Sequence, residues 1–365
     1  MRESFLNVMR GERGDEIVWT ADLTYWVSGQ MQAGRGRPEW NTERGHLELC
    51  RDLGCMPYYW YEKLIVASPR YDGITERTEV SGQRRIHSWE TPVGRLVQEI
   101  TALPEASSEA ITKYPVATEA DLKVFLHILQ HRQWVPCHLD TYRERMDRWA
   151  AFDGLPAVCP PRSPLPGFFC EWAGVQHGVY LLMDYPDLVR EALALMEAQE
   201  KPVLDAIART PPPVVHFPDN LSSDNFASLF DEFMAEPYRR RLDRLHAAGI
   251  RCAVHLDGTV RGLLPKLAAV GFDAVEALTP KPVGDVGLHE MRAVAGRADV
   301  VLWGGVPGAM FAPPFTWKDM EKHVGQLLEQ WGGTPFVVGV ADQVPPDGDI
   351  EFVRGISAMI RGRRP

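Results

Sequence analysis

The stretch Ala253-Val-His255-Leu-Asp257-Gly258 decides the fold class of this chain. It continues an apolar run from Ile250 and places His255 and Asp257 two residues apart before a glycine. Because side chains two apart along a strand point to the same face, we expect both to project together from the end of a buried strand. After Gly258 a helical pattern follows over 260–270. Polar side chains at the C-terminal end of a strand, followed by a helix, are typical of an α/β architecture.

The same pattern recurs along the chain. Further apolar runs end in polar residues or glycine, namely near Asp22, at Asp219-Asn220, at Glu276, at Gly304-Gly305 and at Ala341-Asp342-Gln343. Asp, Asn and Gly are ordinary turn residues, so that one such ending carries little information. A whole series of them indicates polar side chains gathered at one edge of a sheet.

The second half of the chain alternates strand and helix patterns with short connections, which predicts a parallel sheet. Its apolar runs are continuous, as expected when both faces of the sheet are covered. In the first half, 76–101 alternates charged and apolar residues and predicts an antiparallel hairpin or three-stranded meander. We therefore predict a single-domain (β/α)8 TIM barrel over 1–365 with an early antiparallel β insertion. No G-x-G-x-x-G motif opens the chain, so a dinucleotide site has no support.

Composition excludes several classes of protein. The 365 residues carry a formal net charge of -10, which argues against binding nucleic acid through general electrostatics. No apolar run approaches the roughly 20 residues of a membrane span, and the N-terminus lacks the apolar core of a signal peptide. We expect a cytoplasmic protein whose six scattered cysteines are reduced thiols. The sequence leaves open whether it acts alone or as a homodimer.

Several motifs resemble the uroporphyrinogen decarboxylase superfamily. They are the elements Asp219-Asn220, Phe230-x-x-Phe233, Pro237-Tyr238, His255-Leu-Asp257-Gly258, and Gly271-Phe-Asp273 with Glu276. The resemblance covers about 16–360 and is most specific in the C-terminal half. It implies a (β/α)8 barrel with a deep cleft at the C-terminal ends of its strands, in agreement with the alternation above.

This superfamily has two chemistries. One branch decarboxylates uroporphyrinogen without a cofactor, and the other transfers methyl groups between a corrinoid and a thiol or another acceptor. The stretch Gln32-Ala33-Gly34-Arg35 is similar to an arginine element of the decarboxylases but lies too far beyond the first strand. The arginine clamp for substrate carboxylates is therefore missing. We predict the second branch: a methyltransferase that acts on a small methylated substrate and a corrinoid or other acceptor.

The resemblance also implies a metal site. Methyltransferases of this branch bind zinc through His-x-Cys and a later Cys, whereas this chain has His255-x-Asp257 and then Asp342 or Gln343. The resulting prediction is a site for zinc or another divalent metal formed by His255, Asp257, Glu276 and Asp342, a harder set of ligands. The alternative is that these carboxylates only form hydrogen bonds, and the residues leave both open.

Roles for individual residues follow from the resemblance. We expect His255, Asp257 and Asp219 to be catalytic, and the substrate to contact Asp22, Tyr25, Trp26, Asn220 and Trp303. No corrinoid-binding Asp-x-His-x-x-Gly is present, so a corrinoid would arrive on a separate partner protein.

Two other functions remain open from the sequence. One is a cofactor-free decarboxylase or lyase for a carboxylated substrate, tetrapyrroles included, with Arg35, Arg37 or Arg261 binding the carboxylate. The other is a barrel that binds a partner without catalysis.

Overall fold

A computed structural model describes residues 1–12, 14–104 and 107–363. The remaining residues 13, 105, 106, 364 and 365, which the predicted domain includes, lie outside the described residues.

A parallel sheet of six strands forms most of the barrel wall, in the order β1-β12-β11-β10-β9-β8. These strands are β1 (Trp19–Thr20), β8 (Val214–Leu221), β9 (Arg251–Leu256), β10 (Ala274–Leu278), β11 (Val301–Pro307) and β12 (Phe336–Ala341). Their inward and outward side chains are both buried, which explains the continuous apolar runs of the sequence.

Two extended segments complete the wall between β1 and β8. The amide of Met56 donates to the carbonyl of Trp19 (2.8 Å), and the amide of Ala157 donates to the carbonyl of Tyr58 (3.1 Å). The amide of His216 in turn donates to the carbonyl of Val158 (2.8 Å). Segments 56–58 and 155–159 thus occupy the second and third positions of an eight-membered ring. The predicted (β/α)8 barrel is confirmed.

Helices surround this wall. They are α1 (Arg2–Met9), α2 (Thr24–Gln32), α3 (Glu43–Leu53), α4 (Glu119–His131), α5 (Tyr142–Ala150), α6 (Pro164–Gly167), α7 (Gly174–Asp184), α8 (Pro186–Arg209), α9 (Ser223–Phe226), α10 (Phe230–Phe233), α11 (Ala235–Ala247), α12 (Leu264–Val270), α13 (Leu288–Ala295), α14 (Trp317–Trp331) and α15 (Ile350–Ile360). Helix α1 closes the N-terminal end of the barrel, where the ring of Phe5 packs against Trp303 with centroids 5.1 Å apart. None of the helices in the described residues is both long and apolar enough to cross a membrane.

The early insertion is a four-stranded antiparallel sheet in the order β3-β4-β5-β6. Its strands are β3 (Thr75–Ser81), β4 (Arg84–Thr91), β5 (Gly94–Leu103) and β6 (Ser108–Lys113). It is larger than the predicted hairpin or meander, because β6 adds a fourth strand. Trp89 and Leu96 bury one face in the main core, while every residue of β3 is exposed. A separate antiparallel pair joins β2 (Ala67–Tyr71) to β7 (Arg132–Pro136).

The stretch 225–248 has a helical pattern in the sequence, which predicts one long helix with a possible interruption at Pro237. It forms three helices, α9 to α11, and the interruptions precede Pro237. Pro237 lies in the first turn of α11, where the missing amide hydrogen costs no helical hydrogen bond. The sequence Thr316-Trp-Lys-Asp319 has the pattern of a capping box, and this capping box is present at the start of α14.

Candidate active site

Three polar side chains converge inside the barrel from consecutive strands. His216 lies on β8, His255 on β9 and Glu276 on β10. Side chains two apart along a strand point to the same face. The residue two positions before each of the three belongs to the apolar core inside the barrel, so that all three side chains point inward. His255 is also the direct register partner of Glu276 across the parallel pair. Strand geometry alone therefore places the imidazole beside the carboxylate.

The carboxylate of Glu276 is the centre of this cluster. Its Oε2 lies 2.7 Å from Nδ1 of His255 and 3.4 Å from Nε2 of His216. Its Oε1 accepts a hydrogen bond of 2.6 Å from the hydroxyl of Tyr59. A buried carboxylate needs such partners because its charge is otherwise costly to desolvate. The three polar contacts fix the side chain in one orientation.

Electrostatics within the cluster favour a charged pair. Burial would raise the pKa of Glu276, but the attraction and hydrogen bonds of His255 and His216 hold it below its usual range. Burial would lower the pKa of His255, but Glu276, with smaller contributions from Asp342 and Asp257, raises it to about 9. The pKa of Asp342 is raised to about 6, chiefly by burial and against the opposing effect of His255. Near neutral pH the cluster thus contains an imidazolium beside a carboxylate.

The same three residues form a candidate metal-binding group. One ligand atom from each of His216, His255 and Glu276 lies within 4.8 Å of the others. Two His and one Glu are a common ligand set of catalytic zinc, and two ligands of a tetrahedral zinc lie about 3.3 Å apart. The separation of 3.4 Å between His216 Nε2 and Glu276 Oε2 agrees with that spacing. The donor chemistry therefore fits a divalent metal.

A second candidate group consists of His246, Cys252 and Asp273. Its carboxylate already accepts hydrogen bonds from Arg251 Nη1 (2.9 Å) and from the amide of Cys252 (2.8 Å). The charge of this carboxylate is thus already paired with the cation of Arg251. Its hydrogen bond between the amide of Cys252 on β9 and Asp273, which directly precedes β10, links these two strands.

A cavity of about 610 Å³ opens above the first cluster. This volume is within the range of small-molecule sites. Its lining combines aromatic, apolar and polar side chains: Thr24, Tyr25, Ser28, Tyr59, Tyr61, Leu64, Ile65, Ser107, Ala157, Cys159, Arg162, His216, Pro218, Asn220, His255, Asp342 and Gln343. The two histidines of the cluster thus border a space large enough for a small organic molecule.

Three residues in the cavity wall or beside the cluster have strained backbone conformations. Asn220, Ala277 and Asp342 adopt positive φ angles of 48°, 62° and 68°. Asn220 and Ala277 lie where the registers of β8 and β10 shift, and Asp342 directly follows β12. Asn and Asp tolerate this conformation, whereas alanine adopts it at a cost of about 1–2 kcal/mol. Such strain is concentrated at functional sites in proteins.

The predicted metal ligands divide into two groups. His255 and Glu276 lie in the cluster, and Oδ1 of Asp342 lies 3.9 Å from Nε2 of His255 at the cavity wall. Asp257 follows the last residue of β9, and its Oδ1 accepts a hydrogen bond of 2.6 Å from the amide of Gly258. It also contacts Thr279 Oγ1 at 3.4 Å. The turn at Gly258 thus directs this carboxylate to its own loop, and His216 takes its place in the compact group.

Asp219, which the sequence predicts to be catalytic, does not line the cavity. It is fully buried, and its Oδ2 accepts hydrogen bonds from the hydroxyls of Tyr238 (2.6 Å) and Ser163 (2.7 Å). Its Oδ1 accepts a third hydrogen bond, from the amide of Ser163 (2.8 Å). Asp219 is absent from the described cavity lining. Because Asp219 alternates with the inward-facing His216 along β8, it points to the helix side and anchors the Ser163 segment.

Of the expected substrate contacts, Tyr25 and Asn220 line the cavity, and three others do not. Trp303 is fully buried in the barrel, where its Nε1 donates to Thr20 Oγ1 (2.8 Å). Trp26 lies on the face of α2 opposite the cavity and donates from Nε1 to the carbonyl of Gly348 (3.0 Å). These two tryptophans are core residues, a correction that follows from burial.

Asp22 lies just behind the cavity wall. Its carboxylate accepts hydrogen bonds from the amide of Thr24 (2.9 Å) and from the hydroxyl of Tyr61 (2.7 Å). Burial raises the pKa of this carboxyl, against the opposing hydrogen bonds of Thr24 and Tyr61. Tyr61, which Asp22 orients, is the side chain that reaches the cavity.

The arginines considered for a decarboxylase lie elsewhere. Arg35 donates from Nε to the side chain of Gln30 (3.0 Å), Arg37 stacks over Trp40, and Arg261 pairs with Glu290. None of the three belongs to the described cavity lining. Instead, Arg162 contributes the guanidinium of the cavity.

Sequence reasoning missed His216, Tyr59 and Arg162. His216 occupies an inward position in the apolar run that ends at Asp219-Asn220, and a histidine inside this run was the available signal in the sequence. Tyr59 and Arg162 follow segments too short to be identified as barrel strands. Their proximity to the site depends on closure of the barrel.

Comparison with solved structures finds proteins that are similar to this chain. A methyltransferase from Methanosarcina mazei shares the fold with a TM-score of 0.61 and 15% identity, over 98% of this chain and 97% of that chain. A B12-independent methionine synthase from Shewanella sp. W3-18-1 aligns with a TM-score of 0.48 and 10% identity, over 88% and 87% of the two chains. No curated protein sequence matches significantly.

The family comparison covers the half of the chain that contains the cluster. The family model for uroporphyrinogen decarboxylase (URO-D) matches residues 174–362, just over half of the 365 residues. That range includes β8 to β12 and all three residues of the candidate metal group. The chain therefore belongs to the uroporphyrinogen decarboxylase (URO-D) family.

Proposed function

We propose that this protein is a metal-dependent methyltransferase, with a divalent metal bound by His216, His255 and Glu276. The observation that carries the proposal is the convergence of these three ligands beside a cavity of about 610 Å³. The structural likeness to a methyltransferase from Methanosarcina mazei establishes the fold alone. The reaction is therefore inferred from the donor set and from the composition of the cavity.

When bound, zinc or another divalent metal would act as a Lewis acid toward an oxygen atom of the substrate. The protein side chains prepare the site for it. Glu276 orients His255 through the contact of 2.7 Å, and Tyr59 holds the other carboxylate oxygen. Asp342, with a pKa raised to about 6, can hold or release a proton at the cavity wall. Tyr25, Tyr59 and Tyr61 contribute aromatic surface to the cavity wall.

The ligand types favour a methylated oxygen as the methyl donor. Imidazole and carboxylate are harder ligands than the thiolates of thiol-activating zinc sites. Cys159 does line the cavity, but burial raises the pKa of its thiol well above its usual range, so that it stays protonated. The substrate we propose is a small O-methylated molecule, and the acceptor is a corrinoid delivered by a separate protein.

The cofactor-free lyase is the alternative that the test must separate from methyl transfer. A substrate with several carboxylates needs several cations. The lining that the structure describes contains one arginine and no lysine. This composition supports a substrate with little negative charge over a tetrapyrrole with many carboxylates.

The test is elemental analysis of the purified protein and of three variants. We expect about one equivalent of a divalent metal in the wild type and its loss in His216→Ala and His255→Ala. His246→Ala is the matched control, because this histidine belongs to the second group, beside Arg251. It should retain the metal. Methyl transfer from an O-methylated probe to cob(I)alamin, followed by absorbance, should depend on the same two histidines.

Two results would reject the proposal. One is a wild-type protein that binds no divalent metal after dialysis against zinc. The other is a metal content that His216→Ala and His255→Ala leave unchanged. A metal-free protein that releases carbon dioxide from a carboxylated probe would favour the lyase.

A further inference from the structure

We propose that Arg162 binds the carboxylate of a small organic acid in the cavity and thereby selects an anionic substrate. This inference rests on the proposed function for the reaction, but its geometry does not depend on the metal. Arg162 lies just beyond the 155–159 wall segment and lines the same cavity as His216 and His255. It is the one arginine or lysine among the described lining residues.

Hydrogen-bonding capacity remains free on this guanidinium. Its Nη1 donates to Glu171 Oε1 at 3.0 Å. Its Nε is buried and has no partner in the described part of the chain. A buried donor without a partner costs stability. Because the buried Nε is out of reach of a molecule in the cavity, a carboxylate would be bound by the two terminal nitrogens, which keep hydrogens beyond the one that Glu171 accepts and together form a fork for two parallel hydrogen bonds.

The position of Arg162 is fixed by the fold. Ser163, the next residue, is held through both its amide and its hydroxyl by Asp219 of β8. Asp219 is itself held by Tyr238 at 2.6 Å. Three buried hydrogen bonds thus fix the backbone beside a side chain that is 30% exposed. Such support is typical of a residue positioned for binding. This support of the Ser163 backbone also explains why Asp219 is buried on β8.

The charge balance favours a single carboxylate over a phosphate. Glu171 already offsets part of the charge of Arg162, and Asp342 adds a carboxylate to the cavity wall, whereas the charge of Glu276 is offset by His255. A dianion would meet more repulsion here than a monoanion. The remaining walls include Tyr25, Ile65 and Pro218, which suit an apolar or aromatic body. The ligand class is therefore a small acid with an apolar body.

The experiment is calorimetric titration of the full-length protein with benzoate, benzamide and phenyl phosphate. Benzamide has nearly the same shape as benzoate without its charge. We expect benzoate to bind about tenfold or more tightly than benzamide, since a charge-assisted pair contributes about 1.5–3 kcal/mol. In Arg162→Met the affinity for benzoate should fall to that for benzamide. Arg162→Lys should give an intermediate affinity, because it retains the charge without the fork.

Arg261→Met is the matched control, because this arginine pairs with Glu290 outside the described lining. It should bind benzoate as the wild type does. Arg162→Met should fold, since Glu171 is 40% exposed and stays solvated. The thermal unfolding midpoint of Arg162→Met, compared with that of the wild type, checks that the variant is folded.

Three results would overturn the inference: no binding of benzoate by the wild type, equal binding of benzamide, or wild-type affinity in Arg162→Met. Phenyl phosphate that binds more tightly than benzoate in an Arg162-dependent way would overturn the carboxylate assignment. Titrations before and after removal of metal with EDTA separate the two proposals. Benzoate binding that needs Arg162 in a protein that never binds metal would contradict the proposed function alone. Stoichiometric metal with no dependence on Arg162 would contradict this inference alone.

Discussion

His255 and Glu276 are register partners on neighbouring parallel strands, and Nδ1 of the imidazole lies 2.7 Å from Oε2 of the carboxylate. The contact follows from backbone pairing rather than from flexible side chains reaching across a loop. It leaves Nε2 of His255 on the side of Asp342, 3.9 Å from its Oδ1. The same carboxylate oxygen lies 3.4 Å from His216, so that both imidazoles share one acceptor. A shared acceptor of this kind is where a divalent cation would be bound.

The variant Tyr59→Phe tests whether the hydroxyl of Tyr59 orients Glu276 as a metal ligand. Its hydroxyl donates to Glu276 Oε1, the oxygen that the histidines do not contact. Removing an outer hydrogen bond of this kind costs about 10–100-fold in metal affinity. We expect that loss in competition titrations with a chelator, while the variant still takes up metal at saturation. Unchanged affinity would show that Tyr59 does not orient a ligand. Tyr180→Phe, at an exposed tyrosine of α7, is the matched control.

Asp257→Asn distinguishes the ligand set of the sequence pattern from that of the structure. In the structure Asp257 accepts from Gly258 and contacts Thr279. We therefore expect the variant to retain about one equivalent of metal, whereas Glu276→Gln should lose it. Elemental analysis of the two purified variants is the measurement. Loss of metal from Asp257→Asn would restore the ligand set inferred from sequence.

Asp219→Ala should lower stability without affecting metal content. The substitution leaves the buried donors of Ser163 and Tyr238 without an acceptor. Each unsatisfied buried donor costs about 1–3 kcal/mol, and we expect a total loss of about 3 kcal/mol in the free energy of unfolding. Urea denaturation measures this value. Asp224→Ala, at an exposed aspartate, should change it little. A stable Asp219→Ala variant without activity would instead support the catalytic role.

Asp273 should make stability depend on pH in the acid range. Burial would raise the pKa of this carboxyl, but hydrogen bonds from His246, Cys252 and Arg251 hold it below its usual value. Because the folded pKa is the lower one, the stabilisation is complete above the unfolded pKa, about 4, and is lost as pH falls toward the folded value. The stability difference between wild type and Asp273→Asn should be constant near neutral pH and shrink below about pH 4.

Urea denaturation across that pH range is the measurement. The ion pair of the exposed Asp299 with the partly buried Arg297 provides the control, since Asp299→Asn should change the stability by less than about 1 kcal/mol at every pH. A difference for Asp273→Asn that grows as pH falls would contradict the expected sign.

The sequence by itself determined the barrel and two residues of the cluster. Burial of both faces of a parallel sheet produces continuous apolar runs, so the sequence alone locates the parallel strands β8 to β12. Period-two alternation likewise predicted that His255 and Asp257 project together from the end of their strand, and His255 lies in the cluster. Glu276 follows the same rule on the adjacent strand. Burial of a strand and the alternation of its side chains are local properties, so the order of residues in the sequence predicts them.

Only the tertiary structure decided which other side chains reach the site. His216 resembles a core histidine in sequence and becomes a candidate ligand because β8 lies beside β9 in the closed ring. Arg162 and Tyr59 follow wall segments that are held by hydrogen bonds to neighbouring strands rather than by strong strand patterns of their own. Asp219 and Asp257 look like site residues, yet strand alternation turns one outward and the turn at Gly258 redirects the other. Closure of the barrel is a long-range constraint, and no local pattern encodes it.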